Sequence, residues 1–151
     1  MPMGSAVGAL SILSDLSLDV AAGEFLTLLG PSGSGKTTLL MILAGFVRAN
    51  AGSITVGGEE IITMPPHKRN IGMVFQNYAL FPHMNVFHNI AFPLKQRRVS
   101  AAETAERVER ALDLVQLKGL GERRVDQLSG GQRQRVALAR AIVFEPRIVL
   151  M

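Results

Sequence analysis

A short apolar run, Phe25-Leu26-Thr27-Leu28-Leu29, leads without a break into Gly30-Pro31-Ser32-Gly33-Ser34-Gly35-Lys36-Thr37-Thr38. No other stretch limits the fold as tightly. Gly30, Gly35, Lys36 and Thr37 have the spacing of a phosphate-binding loop. Each residue type has a reason to be there. Glycines let backbone N–H groups converge on the β- and γ-phosphates. Thr38 to Ala44 is good helix material, so a helix N-terminus adds its dipole at the same point. Gly45 is placed to cap the other end of that helix. Lys36 supplies a mobile positive charge, and the Thr37 hydroxyl can ligate Mg²⁺. Strand, loop and helix in this order predict an α/β fold with a buried sheet behind the loop.

With 151 residues, one domain with a sizeable core is expected. A hydrophobic content of 48% fits a buried sheet and excludes a disordered chain. The absence of cysteine excludes disulfides and thiolate metal sites, and suits a reducing cytosol. No window offers about 18 uncharged apolar residues, so no membrane span is expected. The stretch Val7 to Leu13 is apolar, but no Lys or Arg precedes Lys36, which makes a poor signal peptide. Charge is uneven: residues 1–66 carry a net −3 and residues 67–151 a net +7. The basic half reads either as a solvated helical surface or as attraction to phosphates or an acidic partner. Nucleic acid is disfavoured as that partner, because no aromatics interleave with the basic residues.

Along the chain, Leu16-Ser17-Leu18-Asp19-Val20 alternates as a half-buried strand does, and Phe25 to Leu29 reads as a buried one. Ser53 to Val56, Gly57-Gly58 and Glu59 to Ile62 predict a hairpin. Pro65 to Asn70 is a loop, and Ile71 to Phe75 a strand ending at Gln76. Residues 77–127 look helical, with Pro82 and Pro93 breaking the first part into short pieces. Ser100 and Glu103 form a capping-box pattern before a stretch whose apolar positions are Val108, Ala111, Leu112 and Val115. Gly119 and Gly121 are expected to end it. Another helix is expected from Gln132 to about Phe144, stopped by Glu145-Pro146, and Arg147 to Met151 begins a buried strand. His67, His83 and His88 have no metal-ligand spacing and read as surface or packing residues.

A second motif, Leu128-Ser129-Gly130-Gly131-Gln132, narrows the field. Ser129 can cap a helix, and Gly130 and Gly131 let backbone amides reach an anion. Phosphate loop and pentapeptide together, with Gln132-Arg133-Gln134-Arg135-Val136-Ala137-Leu138-Ala139-Arg140-Ala141 following, resemble the ATP-binding subunits of ABC transporters. The resemblance runs from about Gly8 to Met151. It implies a P-loop nucleotide-hydrolase core with an antiparallel β portion (residues 1–76), a helical subdomain (77–128), and a signature helix with the start of the Walker B strand (129–151). It implies ATP and Mg²⁺ as ligands. Gly30, Pro31, Ser32, Gly33, Ser34, Gly35, Lys36, Thr37 and Thr38 would bind the nucleotide. Ser129, Gly130, Gly131 and Gln132 would close over the γ-phosphate held by a second subunit. Gln76 matches the Q-loop glutamine, which reaches Mg²⁺ or the attacking water; Lys36 and Gln76 are the catalytic candidates, and Thr37 and Gln76 the metal candidates.

Pro65 to Gln76 and Phe92-Pro93-Leu94 look most like ATPases of bacterial uptake systems for spermidine, putrescine and related solutes. The implied partners are transmembrane permease subunits, a second ATPase subunit (as a homodimer or a paired subunit) and, indirectly, a solute-binding protein. The implied location is the cytoplasmic face of the membrane. Tyr78, Leu80, Phe81 and Met84 read either as contacts to the permease or as core. Three departures stand out. Val7 occupies the place of an adenine-stacking aromatic, Met1 to Ala6 does not resemble the family's first strand, and no Asp-Glu follows Ile148-Val149-Leu150-Met151. The Asp would orient Mg²⁺ and the Glu would polarise water. These residues alone are therefore expected not to hydrolyse ATP at a useful rate, and to leave apolar sheet surface uncovered. Two other readings are a catalytically dead nucleotide-binding or interaction fragment and a non-transport ABC ATPase; the short span from Gln76 to Leu128 argues against the kind with a coiled-coil insertion.

Overall fold

A computed structural model describes Leu13 and residues 15–151. The expectations at Met1 to Ala6 and at Val7 lie outside the described residues. Helix α1 (Lys36–Ala44) follows the glycine-rich loop. A hairpin, β1 (Thr55–Val56) and β2 (Glu59–Glu60), turns at Gly57-Gly58, and the Ile61 amide extends it by donating to the Ile54 carbonyl at 2.8 Å. A 3₁₀ turn at Pro66–Lys68 leads to β3 (Ile71–Met73). Then come α2 (Val86–Gln96), α3 (Ala101–Leu114), α4 (Gly130–Ile142) and β4 (Ile148–Leu150).

Strands β3 and β4 pair in parallel, with Ile71 opposite Ile148 and Met73 opposite Leu150. They are far apart in sequence, so the helical segment is the crossover between them. Gly72 is where α4 comes down on the sheet. A Cβ at that position would collide with the Ala141 carbonyl. The hydrophobic core lies among the three later helices. Val86, Ile90 and Leu94 of α2, Val108 and Leu112 of α3 and Val136 of α4 are fully buried together. Val108, Ala111, Leu112 and Val115 all lie in this core, as helical spacing predicts.

Several expectations are corrected. Leu16 to Val20 and Phe25 to Leu29 carry no strand ladder; Phe25 is 80% exposed and Leu29 90%. An apolar run becomes a strand only where a neighbour takes its N–H and C=O groups. No described segment does so here. Pro93 does not break α2, which runs through it to Gln96. The buried face made by Val86, Ile90, Ala91 and Leu94 outweighs one missing amide near the helix end. Helix α3 stops before Gly119, because Gln116 takes a left-handed backbone (φ 58°) and the Leu117 amide bonds back to the Leu112 carbonyl at 2.8 Å. The Ser100 capping box is half formed. The Ser100 hydroxyl accepts from the Glu103 amide, while the Glu103 carboxylate pairs with Arg107 at 2.7 Å. Helix α4 begins at Gly130, two positions earlier than expected, since Ser129 is its N-cap.

Candidate functional site

The glycine-rich loop delivers α1 with its N-terminus open. Gly35 is the N-cap, in a left-handed conformation (φ 88°) that a residue with a Cβ would resist. No side chain caps this end, and no acidic residue stands in the first turn. The first amides of α1 therefore have no competing side-chain acceptor among the described residues, an arrangement able to receive an anion. Lys36 folds back over the loop. Its Nζ donates to the Gly30 carbonyl at 2.8 Å, the Pro31 carbonyl at 2.7 Å and the Ser34 hydroxyl at 2.9 Å. These acceptors are neutral, and no described carboxylate forms an ion pair with Lys36. The loop thus keeps its positive charge, and a phosphate can take the place of those oxygens. Pro31, Ser32, Gly33, Ser34 and Thr37 are exposed; Thr38 is half-buried. The exposed Thr37 hydroxyl, in the first turn, is a hard oxygen donor of the kind Mg²⁺ takes.

The far end of α1 is anchored by a residue that sequence reasoning passed over. Arg69 is buried, and its guanidinium donates to four carbonyls. Nη1 bonds Ile42 and Leu43 at the end of α1, Nη2 bonds Ile62, and Nε bonds Met64, all within 2.8 Å. Burial pushes its pKa below the usual arginine range. The same side chain thus satisfies the orphan carbonyls of the phosphate-loop helix and the chain entering β3. A lone arginine in Pro-Pro-His-Lys-Arg-Asn gives no sequence signal for this.

Gln76 is exposed, in a turn just after β3, and the Tyr78 amide closes that turn on the Phe75 carbonyl at 2.8 Å. Beyond it, Tyr78, Leu80, Phe81 and Met84 are all half-buried. Asn89, with no exposed surface, organises this segment. Its Oδ1 accepts from the Phe81 amide at 2.8 Å, and its Nδ2 donates to the Phe81, Met84 and Asn85 carbonyls. Asn89 also carried no sequence signal, since asparagine inside an amphipathic helix normally reads as surface.

At the pentapeptide, Leu128 is buried while Ser129, Gly130 and Gly131 are exposed. Ser129 and Gln132 make a reciprocal cap: the Ser129 hydroxyl accepts from the Gln132 amide at 3.2 Å, and the Gln132 Oε1 accepts from the Ser129 amide at 2.9 Å. The Ser129 O–H remains free to donate. A Cβ built on Gly130 or Gly131 meets nothing within 4 Å. Nothing within the described fold requires glycine there. Among the described residues no hydrogen bond joins this pentapeptide to the glycine-rich loop. Nor is there any group of three or more His, Cys, Asp or Glu able to hold a metal by themselves.

The ABC transporter family model matches residues 13–151. Among curated proteins, the chain is 56% identical over 93% of its length to the spermidine/putrescine import ATP-binding protein PotA of Acetivibrio thermocellus. It is 49% identical over 93% to that of Thermotoga maritima and 54% over 95% to that of Legionella pneumophila. The chain spans about 40% of the length of these relatives. Among solved structures, the dimeric post-hydrolysis state of the ATP-binding cassette MJ0796 bound to ADP and Pi superposes with a TM-score of 0.79 at 31% identity. That match covers 91% of this chain and 64% of the other. With its phosphate loop, its capped signature helix and its parallel sheet, the chain belongs to the ABC transporter family.

Proposed function

We propose that this chain is the nucleotide-holding part of the ATP-binding subunit of an ABC importer, with spermidine, putrescine or a related small solute as cargo. The observation that carries the reading is the open N-terminus of α1 under the Lys36 ammonium, which has no ion-pair partner among the described residues. The cargo class is taken from the relatives, each a spermidine/putrescine import ATP-binding protein. In this reading residues 30–38 wrap the β- and γ-phosphates, and Thr37 with Gln76 hold Mg²⁺. When bound, Mg²⁺ neutralises phosphate charge. Lys36 exchanges its loop oxygens for phosphate oxygens. Ser129, Gly130 and Gly131 present a free hydroxyl and open amides to a nucleotide held by a second subunit. The bare space beside both glycines supports this, because a ligand's close approach would fill it.

No described helix is long and apolar enough to cross a membrane. Peripheral attachment through permease subunits on the cytoplasmic face suits that observation. Co-purification tests the reading: tagged chain recovered from solubilised membranes should bring permease subunits with it. Recovery with ribosomes or DNA would assign it to the non-transport ABC ATPases instead.

A further inference from the structure

Two adjacent residues after Gln76 have left-handed backbone, Tyr78 at φ 63° and Ala79 at φ 44°. Neither is glycine, and a Cβ makes that conformation costly for each. Such a pair persists only where its surroundings hold it. Here one side chain does so. Arg140, on α4, donates from Nη2 to the Tyr78 carbonyl and from Nη1 to the Ala79 carbonyl, both at 2.8 Å. The two prongs of one planar guanidinium thus fix two successive peptides. The guanidinium also lies 5.5 Å from the centre of the Phe81 ring, which packs on Phe92 of α2 at 4.7 Å. No described carboxylate pairs with Arg140. Its charge is held by backbone oxygens and a ring.

We propose that Arg140 is a positioning residue: it holds the Tyr78–Ala79 turn left-handed and so ties the loop after Gln76 to the helix headed by Ser129. Helix α4 is a continuous element from Gly130 to Ile142. A displacement at its exposed, anion-seeking end reaches Arg140 along one rod and passes directly to the loop. The consequence for nucleotide sensing rests on the function proposed above. The tie itself does not, and it can be measured with no nucleotide present.

Tyr78 is the chain's one tyrosine, and there is no tryptophan. Intrinsic emission therefore comes from a residue whose carbonyl Arg140 holds. The experiment compares acrylamide quenching of that emission in the unmodified chain, R140Q and R140K, with helicity followed by far-UV circular dichroism. The quenching constant is expected to rise roughly twofold in both variants as the half-buried ring opens to solvent, at unchanged helicity. Lysine keeps the charge and the aliphatic stem but loses the fork, so it should not rescue. Quenching unchanged in both variants, or restored by lysine, would overturn the proposal, since only charge or packing would then matter. Should a variant lose its helical signal, nuclear magnetic resonance of the unmodified chain decides. The Arg140 Nη protons should exchange slowly with water; exchange as fast as that of the exposed Arg98 would reject the clamp.

Discussion

Gly45 lies directly against the guanidinium of Arg69: a Cβ at Gly45 would stand 2.6 Å from Nε and 2.8 Å from Cζ. This contact closes the end of the helix whose start is the proposed phosphate site. Gly45 also has φ 85° and sends its amide to the Ile42 carbonyl at 3.1 Å. Backbone conformation and space both demand glycine there. The substitution G45A should destabilise the chain by roughly 1–3 kcal/mol, from crowding together with the left-handed penalty. Urea unfolding followed by circular dichroism checks it. An unchanged midpoint would show that Arg69 can move aside at little cost.

Arg69 itself should be intolerant of replacement. R69M removes the side-chain donor to the Leu43, Ile62 and Met64 carbonyls and one of two donors to the Ile42 carbonyl, and a loss of about 1–3 kcal/mol is expected. R69K should fall between the two, because one ammonium cannot reach both the end of α1 and the chain near Ile62. Equal stability of R69K and the unmodified chain would contradict the four-carbonyl anchor.

Asn89 makes a prediction of a different kind. N89A removes the partner of the Phe81 amide and of three carbonyls without touching the helical core. Hydrogen exchange at Phe81 should accelerate at least tenfold, the equivalent of about 1.4 kcal/mol, while protection in α3 stays the same. Loss of protection across α3 as well would mean that the residue supports the whole core instead of the segment after Gln76.

Gly131 should behave in the opposite sense. It sits in the first turn of α4 with open space where a Cβ would go. G131A is therefore expected to stabilise the isolated chain by about 0.5–1 kcal/mol. A residue that weakens its own fold and fills no space within it points to a requirement from outside. A lowered unfolding midpoint for G131A would show that the fold itself needs glycine there.

Much of this arrangement was legible in the sequence because the decisive signals are local. The Gly45 cap, the Gly57-Gly58 hairpin turn and the Ser129 cap each depend on neighbours within a few positions, and each appears where the residues place it. The failures share one physical cause. Phe25 to Leu29 reads as a strand, yet strand formation depends on a partner that no local pattern reveals. Pro93 reads as a breaker, yet the buried residues on either side of it decide otherwise. Arg69, Asn89 and Arg140 act through contacts with distant backbone, and Arg140 reaches carbonyls 61 and 62 positions away. A single sequence marks such residues only as ordinary polar side chains.

The central claim is that residues 30–38 form a working phosphate site, and isothermal titration of the chain with Mg²⁺-ATP tests it most directly. Saturable binding near one nucleotide per chain is expected. K36A should weaken it about tenfold to a hundredfold through loss of a charge-assisted contact, with the helical spectrum unchanged. Binding that K36A leaves intact, or no binding by a chain that keeps its helical spectrum, would contradict the account.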